Sequence, residues 1–125
     1  MPIVPSELIE VKRIAGKGRG VFARQEIPAG TEIETAPVLV IPEEDMEPTE
    51  LAGHCFLWSK GKVGLPLGYG ALYNHSFTPN AEYIDRAPQT KVYRAIQDIA
   101  QGEEITINYN GTPDDRSPVG FEVRE

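Results

Sequence analysis

A chain of 125 residues, 40% hydrophobic and 25% charged, is sized for one globular domain and leaves no room for a separate substrate-recognition domain. Nineteen Asp and Glu against 12 Lys and Arg give a net charge of -7, which excludes electrostatic wrapping of nucleic acid and suits a basic, lysine-rich partner. No apolar run approaches the roughly 18 residues of a membrane span, and residues 1–10 lack the basic-then-apolar layout of a secretory leader, so an intracellular protein without membrane contact is expected.

The 12 Gly and 11 Pro favour turns and short extended segments over helix. Leu8, Ile9, Val11 and Ile14 alternate loosely with polar residues, the pattern of a strand running into a glycine turn at 16–20. Residues 21–23 form a second strand, 27–30 a turn, and 31–34 and 37–41 two further extended segments. Residues 43–50 are acidic and interrupted by Pro48, which predicts a surface loop with at most a turn or two of helix. The apolar run 56–58 follows. Glycines within 67–73 allow the backbone to pack closely against a neighbour. Residues 81–85 and 91–96 read as paired strands, 99–102 as a turn into 104–109, and 110–125 as a turn-rich tail. No linker divides the chain, so a single domain over 1–125 with a core at about 8–109 is expected.

Taken singly, the chemistry-bearing motifs are weak. Lys17-Gly18-Arg19-Gly20 lacks the following helix of a phosphate loop and by itself reads as a strand–strand turn, although glycines there would let a ligand lie against the backbone. Asn74-His75-Ser76 and Asn110-Gly111-Thr112 match the glycosylation pattern, which has meaning only in a secreted chain. Cys55 is the sole cysteine, which rules out an internal disulfide and a cysteine-cluster metal site. Its neighbour His54 would point to the opposite face of a strand, so Cys55 is expected to be a buried, inert thiol rather than the nucleophile of a hydrolase.

In combination they carry more. The order Gly18-Arg19-Gly20-Val21-Phe22-Ala23, then Asn74-His75-Ser76-Phe77-Thr78-Pro79-Asn80, then Gly102-Glu103-Glu104-Ile105-Thr106-Ile107-Asn108-Tyr109 resembles the SET domain across about residues 8–109. That resemblance implies a mostly β fold, a β-clip of short curled sheets whose C-terminal segment is threaded as a pseudoknot, an exception to the rule against threaded chains. It implies an S-adenosylmethionine-dependent protein-lysine N-methyltransferase acting on a lysine-containing protein or peptide, with histones among the candidate substrates. By the same resemblance Lys17, Gly18, Arg19, Gly20, Asn74, His75, Tyr109 and Phe121 are cofactor-binding residues, and no metal is required. His75 serves there without acting as acid or base, and Phe121 falls later than the ring that small relatives place over the adenine. Tyr109 matches the catalytic tyrosine and Tyr83 a lysine-channel position, with Phe56 and Tyr69 as weaker candidates for the channel wall. The segment between Ile41 and Leu65 is short for one wall of a peptide groove, and a homodimer, as in the short viral members, would complete it. The alternative is a non-catalytic interaction module, because a fold does not guarantee activity.

Overall fold

The computed structural model describes residues 2–16 and 18–119, and these form two curled sheets with very little helix. In the smaller sheet, β1 (Ile9–Ile14) and β2 (Gly18–Ala23) make an antiparallel hairpin with Val11 opposite Val21. Strand β2 pairs on its other side with β9 (Glu104–Ile107), and β9 runs parallel to the two-residue β6 (Asn74–His75), giving the order β1-β2-β9-β6. Gly18 and Gly20, expected in the turn, therefore belong to β2. The turn itself precedes them, with Gly16 at φ 82°, a left-handed backbone that glycine adopts without steric cost.

The larger sheet is antiparallel, ordered β4 (Phe56–Ser59), β5 (Lys62–Pro66), β3 (Glu32–Pro42), β8 (Thr90–Ala95) and β7 (Ala81–Arg86). The extended segments expected separately at 31–34 and 37–41 are one 11-residue strand. Pro37 lies inside it, although proline normally interrupts a central strand. Here it sits where β3 changes partner: residues up to Pro37 pair with β8 and those from Val38 onward pair with β5. A missing N–H costs least at such a changeover. The acidic stretch forms α1 (Glu43–Met46) and a short 3-10 helix (Glu50–His54), in keeping with the turn or two expected there.

The two sheets enclose one core containing Val21, Ile27, Ile33, Ala36, Tyr73, Tyr93, Ile99, Ile105 and Ile107. Strand β9 shows how the sequence sets it: Ile105 and Ile107 are buried while Glu104 and Thr106 are not, the two-residue alternation of a strand with one covered face. Asn80 fixes the same strand from the side. Its amide donates to the Glu104 carbonyl at 2.8 Å and its Oδ1 accepts the Thr106 N–H at 2.9 Å, so a side chain does the work of a neighbouring strand.

Cys55 departs from expectation. It lies half-buried between the 3-10 helix and β4, an edge strand, where its Sγ donates to the Leu51 carbonyl at 3.4 Å. Partial burial pushes its thiol pKa up, which disfavours the nucleophilic thiolate and leaves the thiol inert for a different reason than full burial.

Candidate functional site

Two clusters meet where β6 and β9 run side by side. The first joins three segments far apart in sequence: the Asn74 amide donates to the Arg19 carbonyl at 2.9 Å and to Glu104 Oε2 at 2.7 Å. Gly20 is what lets them approach, because a Cβ there would lie 2.5 Å from Glu104 Oε2 and 2.9 Å from Asn74 Nδ2. Gly18 differs: its φ is +84° and a Cβ would meet nothing within 4 Å, so this end of β2 opens onto space. The cluster is thus lined by a carbonyl, an amide, a carboxylate and bare backbone. With the Asn74 amide hydrogens given to Arg19 and Glu104, the cluster presents carbonyl and carboxylate acceptors, which suit a ligand's ammonium group. Lys17 and Phe121, two of the expected cofactor contacts, lie outside the described residues.

The second cluster is a cavity of about 510 Å³ lined by Phe56, Tyr73, Tyr83 and Tyr109 together with Cys55 and Asp85. The rings meet edge to face, Phe56 to Tyr83 at 5.0 Å and Phe56 to Tyr109 at 6.0 Å between centroids. Tyr109 donates its hydroxyl to the Tyr73 carbonyl at 2.5 Å, and its backbone N–H donates to His75 Nδ1 at 3.0 Å. His75 Nδ1 must therefore be unprotonated, and this ring nitrogen is spent on holding Tyr109 in place. Tyr83 donates its hydroxyl to the Tyr109 carbonyl at 3.2 Å. Burial, with smaller contributions from Glu104 for Tyr109 and Asp85 for Tyr83, pushes both phenols up to about 12. Both are neutral at physiological pH, donors and acceptors rather than bases. Tyr69 is not part of this wall. It is 40% exposed and lines a separate hollow with Ile3, Pro5 and Glu34, because the backbone turns between Leu67 and Leu72.

The sequence reading passed over three supports. Glu34, buried at 8% exposure, accepts the Tyr73 hydroxyl at 2.7 Å and the Tyr69 N–H at 2.9 Å, gripping the segment whose Tyr73 carbonyl receives Tyr109. Gly68, at φ +62°, leaves room for that carboxylate, since a Cβ would lie 2.6 Å from Glu34 Oε2. Tyr73 in turn stacks on Tyr93 at 4.3 Å, and Tyr93 donates to the Gly70 carbonyl at 2.7 Å. The third support is Lys91, fully buried behind the cavity wall with its Nζ 2.6 Å from Asp85 Oδ1 and 4.1 and 4.3 Å from the Tyr83 and Phe56 ring centroids. Burial lowers its pKa while Asp85 opposes the change. An isolated lysine on a strand reads as surface, so only the fold reveals it; Tyr73 was within reach, being adjacent to Asn74.

Comparison with known proteins agrees with this geometry. The SET domain family matches residues 18–110. The chain is 39% identical over 114 residues to a Schizosaccharomyces pombe histone-lysine N-methyltransferase specific for H3 lysine-37, covering 87% of this chain and 77% of that protein. A crystal structure of a Plasmodium falciparum protein assigned as a histone methyltransferase superposes with a TM-score of 0.70 at 31% identity, covering 86% of this chain and 95% of that one. Blocks at 18–23, 74–80 and 102–109 fall inside the matched region and converge in space as described, and the chain belongs to the SET-domain family of protein-lysine methyltransferases.

Proposed function

We propose that this protein transfers a methyl group from S-adenosylmethionine to a lysine side chain of a histone or histone-like protein, with Tyr109 as the catalytic residue. One observation carries the reading. The Asn74 cluster, whose acceptors suit the ammonium end of an amino-acid moiety, and the aromatic cavity, suited to an aliphatic chain ending in an amine, are joined through adjacent residues Asn74 and His75. Both relatives are histone methyltransferases by name, and the acidic body complements a basic substrate. The parallel β6–β9 pairing and the Asn80 bonds to β9 support threading of the C-terminal segment past residues 74–80.

Within that reading Gly18, Arg19, Gly20, Asn74 and His75 hold the cofactor, which supplies an electrophilic methyl on a sulfonium. The protein's task is to present a neutral amine in line. Free lysine has a pKa of about 10.4, so deprotonation at pH 7 costs roughly 4 to 5 kcal/mol. The aromatic walls of Phe56, Tyr83 and Tyr109 lower that cost by desolvating the amine. Because the Tyr109 proton is committed to the Tyr73 carbonyl, the Tyr109 oxygen offers its lone pairs to an amine N–H, which turns the amine's own lone pair toward the methyl.

Two measurements test this. Calorimetry is expected to show S-adenosylmethionine binding that survives chelator, and tritium-methyl transfer to core histones should label lysine. Binding without transfer to any fractionated protein would leave an interaction module instead. For Tyr83→Phe, the hydroxyl near the Tyr109 carbonyl is lost and the cavity gains space, so the first transfer should persist while products shift toward higher methylation. Mass spectra of one peptide after exhaustive reaction will show that shift, and an unchanged product pattern would remove Tyr83 from the channel.

A further inference from the structure

Strand β4 stands at the open edge of the larger sheet, and its residues alternate between two different environments. Phe56 and Trp58 face Lys91 and, for Phe56, the tyrosines of the aromatic cavity. Leu57 pairs across the ladder with Val63 on the other face and is 83% exposed, the most exposed of the large apolar side chains among the described residues. On that face lies a second hollow of about 220 Å³, formed where α1 and the 3-10 helix fold over the sheet. Met46, Ala52, Leu57 and Val63 line it with apolar surface, and Glu43 and Glu47 from the acidic stretch complete it. It shares Cys55, Phe56 and Leu57 with the aromatic cavity, so the two adjoin at the start of β4.

From this arrangement we infer that the α1–β4 hollow is a substrate subsite for an arginine or lysine side chain immediately adjacent to the lysine that enters the aromatic cavity. The inference rests on the lysine-methyltransferase reading above. An extended segment laid along the free edge of β4 gains main-chain hydrogen bonds, and its successive side chains must point to opposite faces. When one side chain enters the cavity of Phe56, Tyr83 and Tyr109, its neighbour faces the Leu57 side. Apolar walls with two carboxylates select that neighbour's chemistry: a long aliphatic stem against Met46, Leu57 and Val63, and a cationic head beside Glu43 and Glu47. A short or acidic neighbour leaves the hollow unfilled or brings like charges together. The apolar hollow accounts for an exposed leucine at the rim of a substrate cavity, which an acidic surface alone does not.

The test uses fluorescein-labelled peptides with one central lysine and Arg, Ala or Glu at each adjacent position in turn. Binding by fluorescence polarisation and methyl transfer are both measured, with wild type and with the Glu43→Gln/Glu47→Gln double variant. Wild type should bind the arginine peptide about three- to tenfold more tightly than the alanine peptide at one of the two adjacent positions. The preference should appear in KM rather than kcat, shrink as salt is raised, and disappear in the double variant, whose rate on the alanine peptide stays at the wild-type level. Equal binding of arginine and alanine peptides by wild type overturns the subsite, as does a preference that survives in the double variant. Discrimination in binding with no methyl transfer to any peptide supports the subsite and sinks the catalytic reading instead.

Discussion

Tyr109→Phe is expected to lower kcat by about 100-fold or more while leaving S-adenosylmethionine affinity within about twofold. The substitution removes one hydroxyl and keeps the ring that packs against Phe56 and His75. With its phenol pushed up to about 12, Tyr109 is ionised in only about one molecule in 10⁵ at pH 7, so general-base catalysis is not what the variant loses. What it loses is an oxygen held in a fixed direction by its own bond to the Tyr73 carbonyl. A factor of 100 corresponds to about 2.7 kcal/mol, a size reached when a reacting group is misplaced by a fraction of an ångström to an ångström. Single-turnover methyl transfer paired with calorimetry separates the two quantities. A kcat within threefold of wild type would show that the hydroxyl does not position the amine, and a large loss of cofactor affinity would assign Tyr109 to binding.

Strand β9 is readable in the sequence because Ile105 and Ile107 alternate with polar residues after the turn at Gly102, and β7 and β8 because two extended segments flank a short turn at Ala87-Pro88. The meeting of 18–20 with 74–75 and 104 could not be read that way. No periodicity connects a glycine pair, an asparagine and a glutamate separated by 55 and 30 positions, and only resemblance to a family placed them together. The misses share one physical cause. Glu34 and Lys91 are charged residues that composition assigns to solvent, yet both are buried, each held by partners that lie in other strands or loops. Tyr69 fails in the opposite sense, as an aromatic near the right motif that the turn between Leu67 and Leu72 directs elsewhere.

Glu34 supplies the second large effect. Its two oxygens serve two donors, the Tyr73 hydroxyl and the Tyr69 N–H, while a glutamine has one carbonyl oxygen and must leave one donor unserved. Glu34→Gln therefore loosens the segment that aims the Tyr73 carbonyl at Tyr109, and kcat should fall about tenfold with cofactor affinity retained. Burial raises the Glu34 pKa above its ordinary 4.5, partly offset by the Tyr69 and Tyr73 hydrogen bonds. A carboxyl whose pKa is raised by folding stabilises the fold most below the unfolded value, and that contribution is lost as pH rises through the folded value. Ionising the buried carboxyl is thus a cost to stability, and the variant, having no charge to desolvate, should show a flatter dependence of Tm on pH above the ordinary carboxyl value of 4.5. Activity should run the other way. Acid protonates Glu34 in the wild type and takes away one acceptor, just as the substitution does, so the wild-type to variant ratio in kcat should shrink from about tenfold at pH 8 as pH falls through the raised Glu34 pKa. A ratio constant across that range would mean that Glu34 acts only through packing, whereas a shrinking ratio ties its ionised form to the placement of the catalytic hydroxyl.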